Sequence, residues 1–212
     1  MKHIRKGPEP TELTDWKSLA NEEWEPSYDL LSGSIKKAVK EALMKEQGYI
    51  CCYCERRLTD GDSHIEHLQP QSKSGVDPLD YANMLCSCQN DLQPGEPRHC
   101  GNLKGKWYDP SLMVSPLDPK CEVRFVFFAN GEIHAARDKD KGALETIKRL
   151  GLGIPKLNAL RRMVIEPFLD PRLSSEDLAR FVQGYLQPEP EGIFNEFFTT
   201  IRYLFGVFPI ET

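Results

Sequence analysis

Apolar positions recur along this chain at two periods, which separate helical regions from a hairpin. Over residues 34–47, Ile35, Ala38, Val39, Ala42 and Leu43 fall on one helical face, with Ser32 or Ser34 as cap and Gly48 as stop. That helix runs directly into Tyr49-Ile50-Cys51. Residues 122–128 read as a strand, Asn130-Gly131 supplies a two-residue turn, and 132–136 returns, predicting a β-hairpin with His134 as an ordinary surface histidine. Helical spacing resumes over 143–150 and 155–165, broken by Gly151 and Gly153. Leu144, Ile147, Leu150, Leu157, Leu160 and Val164 are expected to face inward, and Arg149, Lys156, Arg161 and Arg162 outward. Ser174, with Asp177 three residues on, opens a further helix through Leu186. Pro188 to Gly192 separate it from a last helix over 193–205, whose phenylalanines suit a core or a subunit interface. The opening 1–33, with Pro8, Pro10 and Pro26 around Trp16 and Trp24, reads as an extended arm docked on the chain's own core or on a partner.

Composition narrows the class. The 212 residues, 40% hydrophobic, suffice for one domain of moderate size with a folded interior. No run reaches the 18 or so apolar residues of a membrane span, and Met1 to Lys6 lack the apolar core of a signal peptide, so a cytoplasmic, non-membrane protein is expected. A net charge of −5 gives no global attraction to nucleic acid. One local patch does: residues 137–162 hold eight Lys or Arg against three Asp or Glu, either a solvated face or a phosphate-binding one.

The candidate chemistry is concentrated in residues 51–105, which contain six of the seven cysteines and three of the five histidines. An odd cysteine count clustered with histidine argues for thiolates on a metal rather than a disulfide framework. Cys51-x-x-Cys54 has the spacing of a tetrahedral zinc knuckle, and Cys88 with Cys100 completes four ligands. Cys86 competes with Cys88, while Cys52 and Cys121 are left as small buried residues. Structural zinc supplies on the order of 10 kcal/mol of folding free energy, enough to close the polar stretch that follows. Between the cysteine pairs, Glu66 and His67 bring a carboxylate and an imidazole together, and Asn83 and Asn102 come within reach once the loop is closed. Oxygen ligands suit a hard cation such as Mg²⁺ or Mn²⁺, and a neutral histidine takes a proton from water.

The order of these pieces resembles an HNH, or ββα-metal, endonuclease. Tyr53-Cys54-Glu55-Arg56-Arg57, residues 65–73, residues 81–89 and Cys100-Gly101-Asn102-Leu103-Lys104-Gly105 resemble the retron-associated and Septu antiphage HNH nucleases. Pro8-Glu9-Pro10 and residues 146–152, with Leu157 and Arg161, look like that family too. The resemblance implies an α+β fold: a zinc-stabilised ββα-metal core over 34–110, the arm over 1–33, and a hairpin and helical region over 111–212 packed on the core. It implies His67 as general base, Glu66 and Asn102 as ligands of a catalytic Mg²⁺ or Mn²⁺, Asn83 as the asparagine that fixes the His67 loop, and a structural Zn²⁺ on Cys51, Cys54, Cys88 and Cys100. It further implies DNA as substrate and an ABC- or AAA-type ATPase subunit of the same antiviral defence system as partner.

Alternatives stay open on the sequence. Many HNH proteins place the last metal ligand immediately after the cysteine, whereas Asn102 stands two residues after Cys100, with His99 as the fallback. His64 touches the metal or phosphate, or is a hydrogen-bonded structural histidine. The chain is a DNA endonuclease, an RNA-cleaving relative, or a non-catalytic zinc docking module.

Overall fold

The hydrophobic stripe that predicts the first long helix is realised almost to the residue. In the computed structural model, which describes residues 1–206, this helix is α2 (Gly33–Glu46), preceded by α1 (Thr11–Ser18). Val39, Leu43 and Met44 are its buried side chains. It ends in a Schellman motif: Tyr49 N–H donates to the Met44 carbonyl and Gly48 N–H to the Lys45 carbonyl. Gly48 has φ +63°, and a Cβ there would lie 2.1 Å from the Phe194 ring, so backbone and packing both demand glycine.

Strands β1 (Ser63–His67) and β2 (Met84–Cys88) pair antiparallel, with Ser63 opposite Cys88 and His67 opposite Met84. The short helix α3 (Cys100–Lys104) packs on β2, giving a ββα unit. Helix α2 covers the same strand. Gln47, just past its end, accepts from Cys86 N–H and donates to the carbonyls of Cys86 and Ile50, so one buried amide ties helix, strand and the chain entering the cysteines.

Beyond this unit come β3 (Phe125–Phe127), β4 (Ile133–Ala135), α4 (Lys141–Arg149), α5 (Pro155–Ile165), α6 (Ser175–Leu186) and α7 (Phe198–Phe205). The fold is α+β, built from small antiparallel pairs and helices. Among the described residues no helix is long and apolar enough to cross a membrane.

Several expectations are corrected. The arm is not extended throughout, since Thr11–Ser18 is helical behind Pro10, a residue suited to helix starts. It docks on the chain's own core: Met1, Ile4 and Leu13 are buried, and Trp16 packs against that core while meeting Trp24 edge to face at 5.6 Å. The hairpin is shorter than predicted, because Glu122–Arg124 forms a 3₁₀ turn and only Gly131 takes a positive φ in the connection. The last helix begins at Phe198, not 193. Phe197 is left-handed, and the chain before it wraps the cysteine knuckle, with Phe194 N–H donating to the Gly48 carbonyl and Phe197 N–H to the Glu55 carbonyl. Leu144 is exposed.

Arg161 is the sharpest correction. Expected outside, it is 2% exposed. Its guanidinium donates to the Leu152 carbonyl (2.6 Å), the Gly131 carbonyl (3.1 Å) and Asn158 Oδ1 (3.0 Å), tying the hairpin to the α4–α5 corner. Gly131 permits this approach, since a Cβ there would lie 2.0 Å from the Asn158 carbonyl oxygen. Arg161→Met keeps apolar volume but strips donors from two carbonyls, and we expect a loss of about 2–5 kcal/mol in urea unfolding. A loss below about 0.5 kcal/mol, the range of ordinary surface substitutions, would contradict this role.

Candidate metal centre and adjacent cleft

The first cysteine pair sits on a turn that the backbone closes twice. Cys51 N–H donates to the Arg56 carbonyl, Glu55 N–H donates to the Cys51 carbonyl, and Ile50 bridges Arg57. Glu55 takes φ +66°, which turns the chain back. The second pair comes from the end of β2 and the start of α3, with eleven residues between them. Gln89 holds that long gap: its side chain accepts from His99 N–H at 2.9 Å and donates to the Pro97 carbonyl at 3.1 Å.

The Sγ atoms of Cys51, Cys54, Cys88 and Cys100 all lie within 4.8 Å of one another, and all four residues are buried. Cys54 and Cys88 are 3.7 Å apart, close to the roughly 3.8 Å between sulfurs of a tetrahedral zinc with ~2.3 Å bonds. Among the described residues this is the one group of three or more Cys, His, Asp or Glu arranged to hold a metal ion, and its donor set fits structural zinc. Cys86 and Cys52 are buried outside it, and burial pushes the Cys86 thiol up to about 12.

Four thiols this close cannot all ionise without a cation. Burial opposes ionisation at Cys51, but hydrogen bonds from Cys100 and its neighbours outweigh it and pull that thiol well below the ordinary range. Burial and the other three sulfurs push Cys100 well above it. His99 is packed against this centre, its Nδ1 3.1 Å from Cys100 Sγ and 3.8 Å from Cys88 Sγ, so it is not a ligand for any ion near Glu66. Its Nε2 is the one buried side-chain nitrogen or oxygen without a partner among the described residues.

The knuckle is braced by both terminal segments. Glu55 is buried, 2.6 Å from the Met1 amino nitrogen, and accepts from the backbone N–H and hydroxyl of Thr199. Burial would raise its carboxyl, but the ammonium and Thr199 hold it below the usual range.

The ββα unit also carries an open cleft of about 580 Å³ lined by Glu66, His67, Gln71, Pro78, Gly101 and Lys106, among others. His67 Nε2 is 2.9 Å from the Pro78 carbonyl oxygen. A carbonyl only accepts, so Nε2 carries the proton and Nδ1 keeps its lone pair, which accepts from the Gln71 amide at 3.1 Å. Tyr28 packs edge-on against the ring at 4.7 Å. Burial lowers the imidazole pKa below its ordinary value, outweighing the Pro78 contact, so the ring is neutral at pH 7.

Glu66 is 7% exposed. Its Oε1 accepts from Lys104 Nζ at 2.8 Å and Tyr53 OH at 3.2 Å, while Oε2 faces His64 Nε2 at 3.8 Å. Burial would raise this carboxyl, but His64 and Lys104 prevail and keep it ionised. Lys104 also donates to the His67 carbonyl at 2.8 Å, linking α3 to the end of β1. Asn83 makes a two-point bond with Gln69, its Oδ1 accepting from Gln69 N–H at 2.8 Å and its Nδ2 donating to the Gln69 carbonyl at 2.9 Å. That bond fixes the loop leaving His67.

Asn102 is elsewhere: its amide donates to the Gln89 carbonyl, and the α3 residue facing Glu66 is Gly101. Lys104, Tyr53, Gln71 and Gln89 were not singled out by sequence reasoning. Lys104 carried the one usable signal, standing one helical turn after Gly101. The basic patch is also thinner than its count, with Arg161 buried, Lys156 paired with Glu96 and Arg149 with Glu145.

The centre makes Cys88 and Cys86 separable. Zinc contributes about 10 kcal/mol, comparable to an entire domain's stability of roughly 5–15 kcal/mol, so Cys88→Ser is expected to lose zinc and the folded centre. Cys86→Ser is expected to keep one equivalent of zinc by elemental analysis, and the reverse pattern would refute the ligand set.

No family model matches the chain. It is 30% identical over 139 residues to a Vibrio cholerae serotype O1 biovar El Tor protein named "Retron Vc95 putative HNH endonuclease", covering 62% of this chain and 65% of that one. It is also 30% identical over 106 residues to an Escherichia coli protein named "Retron Ec83 putative HNH endonuclease", covering 45% of this chain and 40% of that one. The match spans less than two thirds of either relative's length. The chain thus pairs a buried four-cysteine metal centre with similarity, over more than half its length, to proteins named as retron HNH endonucleases.

Proposed function

We propose that this chain is a zinc-stabilised HNH-type endonuclease that hydrolyses phosphodiester bonds of DNA. The observation that supports it is His67: Nε2–H is committed to the Pro78 carbonyl, Nδ1 presents a lone pair, and both stand beside the ionised Glu66 in an open cleft. In that reading His67 Nδ1 takes a proton from the attacking water, after Gln71 swings off it. Asn83 holds the His67 loop, Lys104 fixes the strand end, and Lys106 lies in the cleft to meet phosphate. A divalent cation held by Glu66 would supply the positive charge that the phosphate and departing 3′ oxygen require. We further propose an antiphage role beside a partner ATPase, on the strength of the motif resemblance and the retron relatives' names.

A second reading, a non-catalytic zinc docking module, is favoured by a specific observation. The assembled metal-binding group is all cysteine, contains no histidine, and has the closed character of a structural site. Judged on metal-binding groups alone, that reading is the better supported. Glu66 and His67 lining one cleft, with Asn83 fastening the loop that leaves His67, are what a docking module does not require.

The two readings separate on supercoiled plasmid and single-stranded RNA, with Mg²⁺ or Mn²⁺ and with EDTA. His67→Ala should retain zinc and slow metal-dependent DNA cutting by about 10²–10⁴-fold or more. The acid limb of the parent's rate should lie below the ordinary 6.5 of histidine, because burial favours the neutral base and a cation on Glu66 would act in the same direction. His67→Ala cutting at the parent's rate would refute the base, and RNA cut in place of DNA would reassign the substrate.

A further inference from the structure

Strand β1 points alternate side chains to one face, so His64 and Glu66 share a surface, while Glu66 also lines the cleft that holds His67 at the strand's end. His64 Nε2 and Glu66 Oε2 are 3.8 Å apart, too long for a hydrogen bond and within the roughly 3–4 Å between two atoms bound to one small divalent cation. The other Glu66 oxygen is engaged by Lys104 and Tyr53, which leaves Oε2 turned toward His64.

The helix opposite supplies no side chain at this point. A Cβ on Gly101 would lie 2.5 Å from Glu66 Oε2, 2.7 Å from His64 Nε2 and 3.1 Å from Ser87 Oγ. Glycine alone lets α3 come this close to the carboxylate, the imidazole and the hydroxyl, because any side chain there would push into the Glu66–His64 pair. Gly101 is anchored there, its N–H donating to Ser87 Oγ at 3.1 Å. Asn102 is turned away onto the Gln89 carbonyl.

We propose that His64 and Glu66, with Gly101 providing room, form the catalytic cation site, and that the cation is a transition-type ion such as Mn²⁺ in preference to Mg²⁺. This rests on the nuclease reading for the word catalytic, not for the binding. Two protein ligands suffice, because small divalent cations keep several waters and take further oxygens from substrate phosphate. An imidazole in the pair shifts preference from Mg²⁺, which favours oxygen, toward first-row transition ions. His64 is 24% exposed through its side chain, so solvent reaches the pair.

The test is binding of Mn²⁺ to the full, zinc-loaded chain, followed by the loss of the free-ion EPR signal, with Mg²⁺ as competitor. His64→Ala and Gly101→Ala should each weaken Mn²⁺ binding at least about tenfold with zinc content unchanged, while Asn102→Ala should change it by less than about threefold. His64→Asp, an oxygen ligand, should let Mg²⁺ compete better. The proposal falls if the parent binds no Mn²⁺ at millimolar concentration, if His64→Ala binds as the parent does, or if Asn102→Ala is the variant that loses the ion. Because no substrate is present, a chain that binds Mn²⁺ through His64 yet cuts nothing supports the site and counts against the nuclease reading instead.

Discussion

Four thiolates that must share one dication set the terms for the centre of this molecule. Cys51 and Cys54 lie on a turn, Cys88 ends a strand and Cys100 begins a helix, so an ion joining them fixes knuckle, sheet and helix in one step. The segment has few other means of closing: α3 is five residues long and the loop from Cys88 to Cys100 is polar. What lies outside the centre is arranged to exclude water from it. Both terminal segments converge on Glu55, inside the knuckle, and Gln47 and Gln89 satisfy the backbone on either side.

The cleft inherits its order from that constraint. With α3 locked by Cys100, Lys104 comes down on Glu66 and the His67 carbonyl, and the end of β1 cannot fray. Asn83 fastens the outgoing loop, which brings the Pro78 carbonyl to His67 and selects one tautomer of the ring. The metal centre and the cleft are therefore mechanically linked through a single short helix and are chemically distinct. Loss of zinc would abolish both, whereas loss of His67 would leave the centre untouched.

Much of this was legible in the chain. The cysteine spacing identified the four residues that meet, because two thiols three residues apart on one turn have the geometry of a zinc knuckle. The stripe of α2 and the Ser174 cap were legible for the same reason: local periodicity and local hydrogen bonds decide them. Arg161 and the shortened last helix were not, since each is settled by a distant partner, the Gly131 carbonyl in one case and the Glu55 turn in the other. The orientation of Asn102 was not legible for a subtler reason. A one-residue offset on a helix rotates a side chain by about 100°, so the motif's asparagine falls on Gln89 and glycine faces the carboxylate.

The proposed chemistry depends on a neutral His67 that holds its proton on Nε2 and offers Nδ1 to the cleft. Its most direct measurement is the ¹⁵N NMR pattern of the His67 ring in the zinc-loaded full chain at neutral pH. The structure requires a single neutral tautomer, with Nε2 protonated and Nδ1 bare. A ring protonated on Nδ1, or an imidazolium at pH 7, would contradict it.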